Sequence, residues 1–300
     1  MGEALPPPAP GPPDGAEDRI RKSAISVRGL RKAYGDTVAV DGVDLDVAYG
    51  EIFALLGPNG AGKTTTVEIL EGYRKRDAGE LRVLGVDPGA STARLRERVG
   101  IVLQGTGEFD ELTVGEVVEH FARFYPGADD PAGVIDRVGL TDKARARTHT
   151  LSGGQKRRLD VALGIIGRPE LLFLDEPTTG FDPEARREFW GLIKSLQAGG
   201  TTIVLTTHYL EEAEALADRV GVIARGRLVE VAVPSALGGR ETAPAVVSLS
   251  EHGVRRSEAT GTPTAFVRDL VSRFPGEVPD LAVARPTLED VYLRMIGEAR

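Results

Sequence analysis

The sequence predicts an α/β fold organised around a phosphate-binding loop, and three observations carry that prediction. The octapeptide Gly57, Pro58, Asn59, Gly60, Ala61, Gly62, Lys63, Thr64 follows the apolar run Ile52 to Leu56 and precedes TTTVEIL, so a strand, a glycine-rich turn and a helix succeed one another. A second apolar run, Leu171 to Leu174, ends in Asp175 and Glu176, and a third, TTIVLTT, ends at His208. Unbroken apolar runs of this length fit parallel strands buried on both faces, which deliver side chains at their C-terminal ends. Finally, LSGGQ at residues 151–155 opens the amphipathic pattern KRRLDVALGII.

The loop has a physical logic. Gly60 and Gly62 let the backbone curl until successive N–H groups point inward, and the N-terminus of the following helix adds partial positive charge at the same point. Lys63 is placed to reach β- and γ-phosphates, and the Thr64 hydroxyl suits a hard, octahedral Mg2+. An incidental glycine-rich turn is the alternative, and the strand before and helix after weigh against it. In LSGGQ, Ser152 can cap the helix while Gly153 and Gly154 leave its first amides bare, with Gln155 next, which makes a second phosphate cradle or an ordinary capped helix start. Two cradles with a single lysine-bearing loop suggest that the second completes a site on another copy. At the end of LLFLDEP, Asp175 is placed to hold Mg2+ through water and Glu176 to polarise an attacking water; capping of the turn at Pro177 is the alternative. His208, at a strand's C-terminal end, lies on the side of a sheet where ligands bind.

Composition limits the rest. The chain has 300 residues, with 37 Lys+Arg against 45 Asp+Glu, a formal charge of −8 and a pI near 5.2. That balance gives no general electrostatic reason to bind nucleic acid. With no cysteine, disulfides, thiolate zinc sites and cysteine nucleophiles are excluded. No apolar run approaches the roughly 18 residues that a membrane helix needs. Residues 1–22, proline-rich and without an apolar stretch behind basic residues, are expected to be a disordered tail and not a signal peptide.

In order, residues 24–57 read as several strands with tight turns, with Tyr34 placed upstream of the loop where its ring is free either to stack on a base or to be half-buried in a strand. GELRVLGVDP is a further hairpin strand, and ARLRERVGIVLQ a helix leading into a strand that ends at Gln104. Thr113 caps a helix in TVGEVVEHFARFY; Ala132 to Val138 is helical; His120 and His149 read as surface or satisfied histidines. Asp182-Pro183 turns into a helix through Trp190, and VGVIARG and RLVEV close the sheet. Residues 240–285 read as a small α+β appendage, and Thr287 with Asp290 forms a capping box for a last helix.

The set GPNGAGKTT, Gln104, LSGGQ, LLFLDEP, GFDPE and His208, in that order, resembles the nucleotide-binding subunit of an ATP-binding cassette (ABC) transporter over about residues 24–235. The tail PTLEDVYLRMIG resembles the end of drug-exporter subunits of the daunorubicin-resistance type. The resemblance implies a P-loop NTPase fold (ABC ATPase) over residues 23–238, with an antiparallel β subdomain and a helical subdomain, and a C-terminal accessory region at 239–300. It implies that ATP and Mg2+ bind, that Tyr34 stacks on adenine, that Thr65 and Asp182 belong to the nucleotide site, and that Gln104 links Mg2+ to the membrane partner. It makes Glu176 the general base and His208 the switch, with SGGQ of one subunit closing on the ATP of another in a homodimer. Phe181 departs from the leucine of many relatives, which bears on fine coupling. By the same resemblance the chain is an ATPase that powers integral membrane permease subunits from the cytoplasmic face of the cell membrane, exporting drugs or other hydrophobic small molecules. A soluble mechanochemical ATPase acting on DNA or ribosomes is the alternative, and a single cassette without sustained heptads argues against it. A non-hydrolysing switch is opposed by Glu176 and His208. The expected partner contact lies after Gln104, at about residues 105–130, where Phe109, Leu112 and Val114 are candidates for a groove or for core.

Overall fold

A computed structural model describes residues 23–90, 93–102, 109–251, 254–274 and 276–298. In chain order, β1 (Ser23–Tyr34) and β2 (Thr37–Ala48) make a hairpin, β3 (Ile52–Leu56) enters the glycine-rich turn, and α1 (Lys63–Leu70) leaves it. Then come β4 (Ala78–Val83), α2 (Ala93–Arg96), β5 (Val99–Val102), α3 (Val114–Ala122), α4 (Pro131–Arg137), α5 (Gly153–Ile165) and β6 (Leu171–Asp175). After these follow α6 (Pro183–Ala198), β7 (Thr202–Thr207), α7 (Leu210–Leu216), β8 (Arg219–Ala224) and β9 (Arg227–Ala232). The last part holds β10 (Ala245–Glu251), β11 (Val254–Thr260), α8 (Pro263–Val271), β12 (Ala282–Ala284) and α9 (Leu288–Glu298).

The central sheet has six strands in the order β5-β6-β7-β3-β8-β9. The first five are parallel and β9 returns antiparallel to β8. The inner strands β3, β6 and β7 are buried almost throughout because both faces are covered, and successive residues part to opposite sides. Ile52, Ala54, Leu56, Leu172, Leu174, Ile203 and Leu205 enter one core, which α3, α5 and α6 complete. Phe53, Leu55, Leu171, Phe173 and Val204 enter the other, formed with α1 and the antiparallel sheet β2-β1-β4.

Helix starts are set by the residues expected to cap them. Thr113 and Glu116 make a capping box at α3, and Thr287 with Asp290 makes one at α9. The helix expected in ARLRERVG is a single turn, Ala93–Arg96, because only Leu95 of it is buried. The appendage sheet, in the order β11-β10-β12, has α8 against it. Helix α9 instead returns to the first core, where Leu288, Val291 and Met295 pack with Leu237.

Of Phe109, Leu112 and Val114, the candidates for a partner groove or for core, Val114 belongs to the core. Val114 is 0% exposed in the first core, because it opens α3 and points inward with Val117 and Val118. Leu112 is 38% exposed on the turn before the helix, and Phe109, partly buried, packs edge-on against Phe121 with ring centroids 5.5 Å apart.

Candidate nucleotide-binding site

Residues 57–62 link β3 to α1 along a path that only glycine permits at two points. A β-carbon on Gly62 would stand 2.3 Å from the Ala39 carbonyl oxygen, and φ there is +105°; one on Gly57 would stand 2.4 Å from the Ile223 carbonyl oxygen. Ala61 is buried and its carbonyl accepts from the Gly226 N–H at 2.8 Å, so the base of the loop is tied to the β8-β9 turn. Lys63 is 7% exposed and its ammonium donates to the carbonyls of Gly57 at 2.7 Å and Pro58 at 3.2 Å. Burial lowers its pKa, opposed by the charges of Glu176 and Asp175. The lysine is thus held inside the curl of the loop, where a phosphate would replace the carbonyls as its partner.

Asn59, Gly60, Gly62, Lys63, Thr64 and Thr65 contribute to a cleft of about 510 Å³; Tyr34 and Ala39 join it from the hairpin, and Asp175 and Glu176 from the end of β6. Tyr34 is 42% exposed, with the Lys32 ammonium 5.4 Å and the Arg74 guanidinium 5.3 Å from its ring centroid. An aromatic surface beside two cations suits a base carrying phosphates. The Thr64 hydroxyl and the Asp175 carboxylate share this cleft, a hard-oxygen pair that fits Mg2+ completed by water and phosphate oxygens. Among the described residues no group of three or more His, Asp or Glu stands ready to hold a metal by itself.

Strand order brings the chemistry together. Because β6 and β7 are neighbours, Thr206 reaches the carboxylates: its hydroxyl donates to Asp175 Oδ1, and both its carbonyl, at 3.0 Å, and its hydroxyl oxygen, at 3.2 Å, accept from the Glu176 N–H. His208, just past β7, has Nδ1 3.2 Å from Glu176 Oε1. The Thr179 hydroxyl donates to Glu176 Oε2 at 3.4 Å. A carboxylate just past a strand end, held by the Thr179 hydroxyl and the His208 imidazole while Thr206 fixes its backbone N–H, is equipped to take a proton from water.

The glycine-rich helix start at residues 152–155 lies elsewhere. Ser152 Oγ accepts from the Gln155 N–H at 3.3 Å and Gln155 Oε1 from the Ser152 N–H at 3.0 Å, a capping box that leaves Ser152 and Gly153 exposed. None of residues 152–155 lines the cleft that holds Lys63. Asp182, also exposed and away from that cleft, caps α6 by accepting from the N–H groups of Glu184 at 3.0 Å and Ala185 at 2.8 Å. Phe181 packs edge-on against Phe189 at 5.5 Å, and its ring tip would stand 4.0 Å from a β-carbon on Gly154, which places the aromatic departure beside the start of α5. Gln104 lies outside the described residues. His120 and His149 are exposed, and His149 Nδ1 lies 2.6 Å from the Asp110 carbonyl.

Four residues near the site escaped the sequence reading: Thr206, Thr179, Arg157 and Glu71. Neither Arg157, the middle of three consecutive basic residues, nor Glu71 carries a signal in the sequence that sets it apart. Glu71 ends α1 and lines a second cavity of about 350 Å³ with Ile101, Phe109, Phe121 and Tyr125. Burial, then the charges of Asp175 and Glu68, push its carboxyl up to about 8.

Comparison with known proteins agrees with this geometry. The ABC transporter family profile matches residues 40–179. The daunorubicin resistance ATP-binding protein DrrA3 of Streptomyces coeruleorubidus is 39% identical, over 93% of this chain and 97% of its own length. The Nod factor export ATP-binding protein I of Ralstonia nicotianae is 40% identical, over 91% and 94%. An ATP-binding cassette solved as a dimer in a post-hydrolysis state with ADP and Pi shares the fold, with a TM-score of 0.63 and 24% identity over 70% of this chain and 98% of that one. The fold and site define a P-loop ATPase. This chain belongs to the ATP-binding proteins of ABC transporters, and it binds nucleotide and hydrolyses ATP. Among the described residues no helix is long and apolar enough to cross a membrane.

Proposed function

We propose that the chain is the motor subunit of an exporter: it binds ATP with Mg2+ at the cytoplasmic face of the cell membrane and drives separate integral permease subunits that expel drugs or other hydrophobic small molecules. The observation that carries this reading is a second glycine-rich helix start, Ser152 to Gln155, that does not line the cleft of Lys63. Two copies arranged as a homodimer supply each cleft with the Ser152, Gly153, Gly154 and Gln155 of the other. The names of the relatives, daunorubicin resistance and Nod factor export, support the export of apolar or amphiphilic cargo.

Within each site Tyr34 stacks on the adenine, and the loop from Gly57 to Thr65, with backbone N–H groups at every position but Pro58, surrounds the phosphates with Lys63. Thr64, Asp175 and Gln104 would hold Mg2+, which would supply charge neutralisation at the phosphate oxygens. Glu176 polarises the attacking water, His208 reports the state of the γ-phosphate, and Asp182 reaches the dimer interface. Residues 23–238 form the ATPase domain and residues 239–300 an accessory region. The test separates binding from turnover. Lys63→Ala loses tight ATP binding, whereas Glu176→Gln binds ATP and turns over about 10² to 10³ times more slowly. Normal turnover by Glu176→Gln, measured beside nucleotide binding, refutes the assignment.

A further inference from the structure

Glu176 adopts φ 43°, in the left-handed region that a side chain with a β-carbon rarely enters, directly after β6 and before Pro177. Such a backbone persists only where its surroundings hold it. Thr206 holds one side through the Glu176 N–H. The other hold comes from α5. The Arg157 guanidinium donates Nε–H to the Pro177 carbonyl at 3.1 Å and Nη2–H to the Asp175 carbonyl at 2.6 Å. These carbonyls belong to the residues on either side of Glu176, so one planar fork fixes the chain before and after it.

Arg157 is 8% exposed and lies 3.7 Å from Asp160, one turn along the same helix. Burial lowers its pKa, opposed by Asp160, Asp175 and Glu212 in that order. An arginine buried at this depth is costly to the fold unless its hydrogen bonds are met. It also stands two residues after Gln155, on the helix whose first turn is the second cradle. The cradle and the base are therefore joined through one side chain on a rigid helix.

We infer that Arg157 is a positioning residue for hydrolysis: it holds the backbone of Glu176 in its left-handed conformation and couples the seating of the SGGQ helix on a partner's nucleotide to the water-activating carboxylate of its own chain. This rests on the reading of Glu176 as the base and of residues 152–155 as a cradle for a second copy. Shared placement on one sheet edge accounts for Thr206, but Arg157 comes from outside the sheet, so its two bonds register movement of α5.

The experiment uses the full chain with ATP and Mg2+. Arg157→Lys keeps a cation beside Asp160 but lacks the fork that spans both carbonyls. The expected result is a kcat lower by about 10- to 100-fold, as for the loss of one or two charge-assisted hydrogen bonds, with KM for ATP held within about threefold. In a Glu176→Gln background the same substitution is expected to lower the residual rate no further, because it acts through the group already removed. If Glu176→Gln turns over normally, the base reading fails by itself. If Glu176→Gln is slow and Arg157→Lys turns over normally, raises KM alone, or costs the same factor in both backgrounds, the proposal is overturned. Thermal unfolding accompanies each variant. Should Arg157→Lys not fold, Arg157→Gln combined with Asp160→Asn removes both buried charges together and is read by the same criteria; a chain that unfolds in both cases makes Arg157 a scaffold residue and also overturns the proposal.

Discussion

Replacing Glu71 by glutamine should make the protein more stable, and by an amount that grows with pH. The carboxyl ends α1, where the helix dipole disfavours an anion, and it faces the cavity lined by Phe109 and Phe121. Burial first, then the charges of Asp175 and Glu68, raises it from 4.5 to about 8. In the unfolded chain the proton leaves near pH 4.5, whereas in the folded chain it stays until about pH 8. Between those values the native state binds more protons than the unfolded state, so stability falls as pH rises, by ~1.4 kcal/mol per pH unit at most. The span of 8 − 4.5 = 3.5 units sets a ceiling of ~5 kcal/mol, and water reaching the exposed part of the side chain brings the expected effect to about 2 to 5 kcal/mol. Glu71→Gln keeps the shape and removes the charge. Urea denaturation of parent and variant without nucleotide, at pH 5 and pH 9, should show the variant's advantage small at pH 5 and larger by that amount at pH 9. An advantage independent of pH, or one that shrinks as pH rises, refutes the reasoning.

Other expectations follow from the same geometry. In the Glu176→Gln background ATP should convert monomers to dimers by light scattering, and Ser152→Trp should block that conversion while leaving ATP bound at the Lys63 loop; a Ser152→Trp variant that still dimerises would count against the shared site. Gly62→Ala places a β-carbon 2.3 Å from the Ala39 carbonyl at φ +105°, so nucleotide affinity should fall at least tenfold by equilibrium binding, the loop having to move to admit it. Phe109→Asp should leave the chain folded and able to bind ATP but should abolish its co-purification with a polytopic membrane protein; full recovery of that partner would remove Phe109 from the contact.

Much of the site was legible because its residues belong to patterns with local causes. An apolar run of five residues bounded by glycine or carboxylates is too short for most helices and fits a covered strand, and Thr113, Ser152 and Thr287 sit three residues before the partners that complete their caps. Proximity across strands was not legible. Glu176 and His208 are 32 residues apart, as 208 − 176 gives, and meet because β6 and β7 are neighbours in a sheet whose order the sequence does not state. Val114 and Phe109 show the same limit from the other side. Periodicity says that α3 has an apolar face, which takes Val114 inward, but Phe109 lies before the helix and outside its period, and its packing against Phe121 is set by the fold. Arg157 and Glu71 are polar residues defined by what packs on them, and nothing adjacent in sequence foretells it. Likewise a capping box announces α9 without saying that Leu288, Val291 and Met295 return to the first core.

The placement of the second cradle follows from one helix direction. Arg157, near the start of α5, reaches the carbonyl of Asp175 at the end of β6, while the C-terminal end of α5 leads towards the start of that strand. Helix and strand therefore run in opposite senses, and the 13 residues of α5 carry the chain ~20 Å along the sheet. The SGGQ amides thus emerge at the same edge as the Lys63 loop but to one side of it. Two cradles that open from one edge cannot close on each other within a chain. In the homodimer proposed above, a two-fold rotation of a second copy would set each SGGQ opposite the other's loop, and the same operation that makes one site would make its equal. A bulky side chain at Ser152 would then obstruct both sites at once, which is why that single substitution should abolish the dimer and not halve its stability.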